Sequence, residues 1–392
     1  MTKKILIIAN KKVSPSLDGG AIAIKNLADK FLKLNYKIDI ISISKKNNTP
    51  KDVKPKQSTI SNNLNQIVFY QNMSIDIIGF IKSIIYKSSY QANRFYNHNI
   101  KEYIQNLINI NNYQIILFES IFTTVYLKHL NLPKSVKTIF RAHNLEHEIW
   151  EDLSKKYFLT KSIYLFLALQ IKQVEQTIPN YVDYIFTISN EDFIFFQKLF
   201  PDKTHNIPVT FEIENNKVKK LDSSVVHLGA MDWKPNVEGI DWFFQFVFPK
   251  ILKSKKNINI YVAGKKMPEK YLKKQLKNTV IQSEVKNAKT YIANKEILFV
   301  PLFSGSGIRI KILESMALGI PVITTSKGAQ GIPCTHGENI LIANNPDSFF
   351  NSIDILINNK SYAKKIGTNG QQIIAEHFSE KMVVNKINSL IK

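Results

Sequence analysis

The chain has 392 residues, long enough at roughly 150 residues per domain to build two sizeable hydrophobic cores. Hydrophobic residues make up 44% and charged residues 21%, a globular balance that excludes a disordered or collagen-like chain. The net charge of +22 is shared between the two halves rather than held in a tail, and it favours anionic partners such as nucleotide phosphates or an acidic membrane surface.

The single cysteine, Cys334, forbids an intrachain disulfide and fits a reducing, cytoplasmic compartment. The apolar run Ile5–Ala9 is too short for a signal-peptide core. The most apolar uncharged stretch, Ser162–Ile171, falls short of the ~18 residues that span a bilayer. The expectation is a soluble or peripheral protein.

Along the chain, Lys4–Ala9 is a continuous apolar run, as expected of a central parallel strand covered on both faces. The glycine-containing loop Ser14–Gly20 and the helical pattern Ala21–Leu34 follow, and Ile38–Ile43 completes a βαβ unit. Lys45–Ser58, Lys-rich with Pro50 and Pro55, reads as a flexible loop. Strands are expected at Gln66–Tyr70, Gln114–Phe118, Val136–Phe140 and Tyr184–Ile188, with helices at Asn97–Ile110 and Trp150–Gln176. The charged stretch Thr210–Ser224 reads as the interdomain connection.

The pattern then restarts. Strands are expected at Val225–Leu228, Asn257–Ala263, Thr279–Gln282, Glu296–Leu302, Pro321–Thr325 and Asn339–Ala343. Helices are expected at Asn236–Leu252, Met267–Lys277, Ala288–Asn294, Ile308–Leu318, Pro346–Asn358, Ser361–Glu376 and Glu380–Ile391. This alternation predicts an α/β chain of two Rossmann-like, doubly wound domains facing a cleft. The domains are 1–209 and 210–379, with a terminal helix, 380–392, crossing back onto the first.

The strongest local signal is Phe299–Thr325, in which a buried strand runs through Ser304-Gly-Ser-Gly307 into a helix ending at Gly319. Glycines at a strand-to-helix turn let a ligand approach the backbone, and the helix start offers N–H groups and a positive dipole end to a phosphate. Arg309 and Lys311 in the first turn oppose that dipole, which anion binding would explain. The other reading is an ordinary βα turn with two surface cations. Ile310 stands where a dinucleotide fingerprint has its third glycine. Glu314, farther along the helix, is either a solvated carboxylate or an acceptor for a ribose diol.

At these residues the chain resembles retaining glycosyltransferases of the GT-B fold, specifically glycosyltransferase family 4. The resemblance extends to Asp18-Gly19-Gly20, to Phe140–Glu146 with His143, to Ile185–Asn190, and to Leu228–Asn236 with Lys234. It implies that the second domain holds a nucleotide-sugar through Lys234, Ser306, Gly307, Ile308, Arg309, Lys311 and Glu314. Gly19, Gly20 and His143 of the first domain would serve donor and acceptor. His143, Lys311 and Arg309 would be the catalytic groups. Ser306 stands where many family members carry a glutamate against the donor sugar, so sugar recognition differs.

The implied activity is transfer of a hexose from a nucleotide-sugar to a glycan or lipid-linked acceptor, with retention, in surface polysaccharide or glycolipid assembly. The leaving phosphate would assist front-face attack. No cofactor and no metal are expected: the chain has no Asp-x-Asp pair, and the leaving diphosphate would be neutralised by Lys234, Arg309, Lys311 and the helix start. The absence of a Gly-x-Ser-x-Gly elbow and of a base for Cys334 argues against covalent hydrolysis. His143-Asn-Leu-Glu-His147 spells a zinc-peptidase pattern, but it follows a strand and lacks a third ligand. A sugar-nucleotide epimerase or hydrolase on the same scaffold, and a non-catalytic binder of anionic glycolipid or polyanion, are the alternatives.

Two stretches mix aromatic and aliphatic residues with lysines, Ile75–Tyr96 and Trp150–Gln176. They read either as helices lying on an acidic inner-membrane surface or as core helices with solvated lysines. The diffuse charge and the lack of a recognised module argue against nucleic acid.

Overall fold

The computed structural model describes residues 3–14, 18–45, 55–214, 218–305 and 307–391. It divides into two compact units, Met1–Val209 with Val383–Lys392, and Thr210–Met382.

The first unit runs β1 (Lys3–Ala9), α1 (Gly19–Lys33), β2 (Tyr36–Lys45), β3 (Lys56–Ser61), β4 (Leu64–Gln71), α2 (Ile77–Ile85), α3 (Tyr90–Asn93) and α4 (His98–Ile110). It continues with β5 (Ile115–Glu119), β6 (Lys137–Ala142), α5 (Glu146–Lys156), α6 (Lys161–Thr177), β7 (Tyr184–Thr187), α7 (Asn190–Leu199) and β8 (Thr204–Asn206). Among the described residues its sheet has eight strands in the order β3-β4-β2-β1-β5-β6-β7-β8, parallel except for the β3–β4 pair. Successive side chains of β1 alternate between two cores. Leu6 and Ile8 join Ile41 and Phe118 on one face, while Ile5 and Ile7 join Ile38 and Leu117 on the other. Burial on both faces is why the strand reads as an unbroken apolar run.

The second unit runs β9 (Ser224–Leu228), α8 (Lys234–Trp242), α9 (Phe248–Lys253), β10 (Asn259–Ala263), α10 (Glu269–Leu272), β11 (Thr279–Gln282), α11 (Ala288–Ala293) and β12 (Ile297–Val300). It ends with α12 (Ile310–Ala317), β13 (Val322–Thr324), β14 (Leu341–Ile342), α13 (Pro346–Asn358), α14 (Lys360–His377) and the start of α15 (Glu380–Ile391). Its six described strands are all parallel in the order β11-β10-β9-β12-β13-β14, a doubly wound arrangement that reverses direction between β9 and β12. From Val383 onward, α15 belongs to the first unit. Val383 and Ile387 are buried there in the cluster that holds Ile5 and Ile207, and Tyr184 Oη donates to the Leu390 carbonyl at 2.9 Å.

Several expectations need correction. Within Lys45–Ser58, residues 46–54 lie outside the described set, but Lys56–Ser61 is strand β3, an antiparallel partner of β4. Its side chains are almost all exposed, so an edge strand left no apolar alternation to read. The single helix expected over Trp150–Gln176 is two helices, α5 and α6, separated by an extended Tyr157 and a 3-10 turn at Phe158–Thr160. Trp150 packs back on Tyr164 with ring centroids 6.0 Å apart, so tertiary packing folds the segment on itself without a proline or glycine to announce the turn. The Lys-rich helix expected over Met267–Lys277 shrinks to the single turn α10, where only Tyr271 finds a buried place. Asn236–Leu252 is helical nearly throughout, with a π-helical turn at Phe243–Val247 joining α8 to α9. The connection after Thr210 is tied into the second unit: Phe211 N–H donates to the Phe378 carbonyl and Glu214 N–H to that of Ala317.

Candidate functional site

In the second unit the chemistry-bearing residues gather where β9, β10 and β12 end, the edge at which doubly wound sheets bind ligands. Gly229 follows β9 and Gly264 follows β10. The two backbones pack so closely that a Cβ on Gly264 would come within 1.7 Å of the Gly229 carbonyl oxygen. A Cβ on Gly229 would lie 2.6 Å from Asn236 Nδ2 and 2.8 Å from Lys311 Nζ. The missing side chain therefore leaves the backbone open to those two groups.

Lys311 Nζ donates to Asn236 Oδ1 at 3.0 Å, and Asn236 Nδ2 donates to the Ala230 carbonyl at 2.9 Å. The asparagine thus holds the ammonium beside the turn after β9. In the turn after β12, Gly305 and Gly307 take φ of 95° and 79°, and Trp233 stands against Gly305. Arg309 is buried, with its guanidinium carbon 5.1 Å from the Trp233 ring centroid. Ser304 Oγ donates to Glu238 Oε2 at 3.0 Å, tying this turn to α8.

The two cations stand in a desolvated place. Burial, and then the charge of Arg309, pull the Lys311 pKa down to about 7, and burial alone lowers that of Arg309 to about 10. Burial raises Glu314 to about 7 against the opposing charge of Lys289. His227, fully buried in β9, is held neutral by burial and by the nearby Lys311, and its Nδ1–H donates to the Phe299 carbonyl at 3.1 Å. An anion arriving here would relieve both the repulsion between the cations and the desolvation of their charges.

The first unit carries a second cluster around the end of β5. Glu119 and Arg141 are both fully buried; Arg141 Nη1 donates to the Ala23 carbonyl at 2.9 Å and to Glu119 Oε1 at 3.3 Å. His143 Nε2 lies 2.5 Å from Glu119 Oε2. Burial alone would raise the Glu119 pKa, but Arg141 and His143 hold it below the usual carboxylate range, while burial lowers His143 against the pull of Glu119. A carboxylate can only accept, so Nε2 carries the proton and Nδ1 presents a lone pair. Glu146 is pushed up to about 7 by burial; its backbone N–H donates to Glu175 Oε1 at 2.7 Å, and His147 pairs with the other oxygen of the same carboxylate.

The structure brings Arg309 and Lys311 together with Gly229 and Asn236. It places Glu314 one turn farther along α12 from Lys311, and Ile308 on the adjoining apolar cluster. Arg309 is the residue capping α12 rather than part of its first turn, because the helix begins at Ile310. Lys234 is exposed at the start of α8. Ser306 lies outside the described residues. Gly19 and Gly20 form the first turn of α1 rather than a free loop. That turn is capped by Asp18, which accepts from Ala21 N–H at 2.9 Å and pairs with Lys11 at 3.1 Å. His143 precedes α5, so it and His147 share no helix face, and each meets a different glutamate.

Sequence reasoning missed Asn236, His227, Glu119 and Arg141. Asn236 stood in a motif whose lysine drew attention, and Glu119 reads only as the last residue of an apolar strand.

Residues 222–359 match the family model described as "Glycosyl transferases group 1", a span from just before β9 through α13. The chain is 26% identical over 288 residues to an uncharacterized 44.6 kDa protein in the cps region of Klebsiella pneumoniae, covering 70% of this chain and 73% of that one. Its fold is similar to sucrose-phosphate synthase from Thermosynechococcus elongatus, with a TM-score of 0.69 at 12% identity over 99% of this chain and 98% of that one. It is also similar to the pneumococcal O-GlcNAc transferase GtfA, solved in complex with UDP and GlcNAc, with a TM-score of 0.65 at 11% identity over 100% and 99% of the two chains. With residues of its second unit matching a group 1 glycosyl transferase domain and with two Rossmann-like sheets, the chain has the fold of GT-B glycosyltransferases.

Proposed function

We propose that the protein transfers a hexose from a nucleoside-diphosphate sugar to a glycan or lipid-linked acceptor, with retention at the anomeric carbon, in the assembly of a surface polysaccharide or glycolipid. The observation that carries the donor assignment is the Lys311 ammonium, held by Asn236 over Gly229 with Arg309 close by. A diphosphate against these groups gains charge-assisted hydrogen bonds where water is scarce. In this reading Lys234, the backbone at Gly307 and Ile308, and the start of α12 contact the same phosphates, with Ser306 near the sugar. Glu314 accepts from the ribose diol.

As the bond between the anomeric carbon and the diphosphate oxygen breaks, negative charge grows on the leaving oxygen and the two cations stabilise it. The acceptor hydroxyl bonds to the same face of the sugar and passes its proton to the leaving phosphate. In the first unit, Gly19, Gly20 and His143 serve the donor and acceptor sugars, with His143 Nδ1 accepting from a sugar hydroxyl. The reading is metal-independent, since the cations take the charge-neutralising role. The polysaccharide context is supported by the relative in the cps region and the nucleotide-sugar by the UDP-bound neighbour.

The test is incubation of the protein with a panel of nucleoside-diphosphate sugars, a cell-envelope lipid extract and a chelator. Release of nucleoside diphosphate coupled to a product with the donor's anomeric configuration supports the reading. Inversion, or isomerisation or hydrolysis of the sugar-nucleotide without transfer, contradicts it.

A further inference from the structure

Helix α2 is amphipathic in the wrong sense for a helix that only serves a core. Ile77, Ile78, Ile81, Ile84 and Ile85 fall at i, i+1, i+4, i+7 and i+8, the spacing of one apolar stripe, yet they are 49–73% exposed. The face turned inward carries Phe80 and Ser83 instead. Phe80 packs edge-on against Phe166 of α6 with centroids 5.9 Å apart, and Ser83 Oγ accepts from Gln170 at 3.2 Å.

On α6, Ile163 shares the face of Phe166 and Gln170 and is itself 50% exposed. The 3-10 turn before α6 presents Phe158 and Leu159, 87% and 97% exposed. Exposed lysines flank the stripe: Lys82 and Lys87 in and after α2, Lys161 at the start of α6. The nearby acids Asp76 and Asp152 are engaged, the first capping α2 and the second pairing with Lys155.

We propose that α2 and the N-terminal end of α6 form a docking surface for an anionic lipid bilayer, with the isoleucine stripe and the Phe158–Leu159 tip entering the headgroup–acyl boundary. The charge selects the occupant. Apolar side chains ringed by lysines, on a chain of net charge +22, complement acidic headgroups, whereas a second copy would set the same lysines against each other. The proposal deepens the reading of a lipid-linked acceptor. Helix α6 leads from this surface to Glu175, which holds Glu146 and His147 beside the first-unit cluster about 20 Å away along the helix axis.

The experiment is co-sedimentation of the full chain with vesicles of phosphatidylcholine, with and without phosphatidylglycerol, at low and high salt and without donor or acceptor. Failure of the transfer reading therefore leaves this result untouched. The protein is expected to sediment with the phosphatidylglycerol vesicles and to be partly released by salt. Ile81→Asn/Ile84→Asn, and separately Phe158→Ser/Leu159→Ser, should weaken association by roughly tenfold or more with unchanged melting temperature. Lys82→Glu/Lys161→Glu should flatten the salt dependence. Three results would overturn the proposal: no association with either vesicle; equal association by wild type and both apolar double variants; or a wild-type dimer in solution that Ile81→Asn/Ile84→Asn converts to monomer.

Discussion

Lys311 and Asn236 meet at 3.0 Å across the turn after β9, and both lie where a side chain on Gly229 would stand. An ammonium from one βα unit is thus fixed by an amide from another at the open edge of the second sheet.

Asn236 is buried and spends both ends of its amide, accepting from Lys311 and donating to the Ala230 carbonyl. Asn236→Ala should destabilise the second unit by about 1–3 kcal/mol, the cost of leaving buried partners unpaired. Denaturant unfolding checks this, with Lys234→Ala, at an exposed position, as the variant that should leave stability within about 0.5 kcal/mol of wild type.

On the proposed donor reading, the depressed Lys311 pKa of about 7 should give nucleoside-diphosphate binding a pH dependence. Below 7 the free protein already carries the charge. Above it, binding must draw a proton onto the amine, so affinity should fall by up to about tenfold per pH unit. Calorimetry in buffers of different ionisation heat should show proton uptake near pH 8, and Lys311→Ala should abolish both effects.

The pKa of Glu314 is shifted in the opposite direction. Its folded pKa is raised from the ordinary 4.5 to about 7, so between those values the folded state holds a proton that the unfolded state has lost, and stability falls as pH rises from about 4.5 through 7. Without ligand, Glu314→Gln should match wild type near pH 4 and melt higher near pH 8, by roughly 2–4 °C for each kcal/mol of relieved charge burial.

In the first unit, Glu119 balances the buried Arg141 guanidinium and bonds His143. Removing the carboxylate in Glu119→Ala leaves an uncompensated buried charge, at a cost of about 3–5 kcal/mol. The milder Glu119→Gln keeps the shape but frees the histidine tautomer, so turnover should fall further than stability. Paired melting and rate measurements distinguish the two effects.

The fold was legible where burial is two-sided. The runs at β1 and β9 show their nature because alternate residues feed two cores, as Val225 and Val226 do in the second unit. The turn after β12 was legible because glycines and cations sit together in sequence. What stayed hidden depends on tertiary partners: Glu119 matters through Arg141 and His143, and Asn236 through Lys311. Similarly, β3 gains its place from β4 rather than from any apolar pattern of its own, and the break between α5 and α6 comes from their packing together. The exposed stripe of α2 shows the converse case, because its periodicity alone would assign it to a core.

The most direct test of the proposed donor site is the melting temperature of wild type and Lys311→Ala with and without saturating UDP, GDP, dTDP, CMP or ADP. The account predicts that one nucleoside diphosphate raises the wild-type melting temperature and that the rise largely disappears in the variant. If none stabilises the wild type, or if Lys311→Ala responds as strongly as wild type, the assignment of the donor diphosphate to Lys311 is wrong.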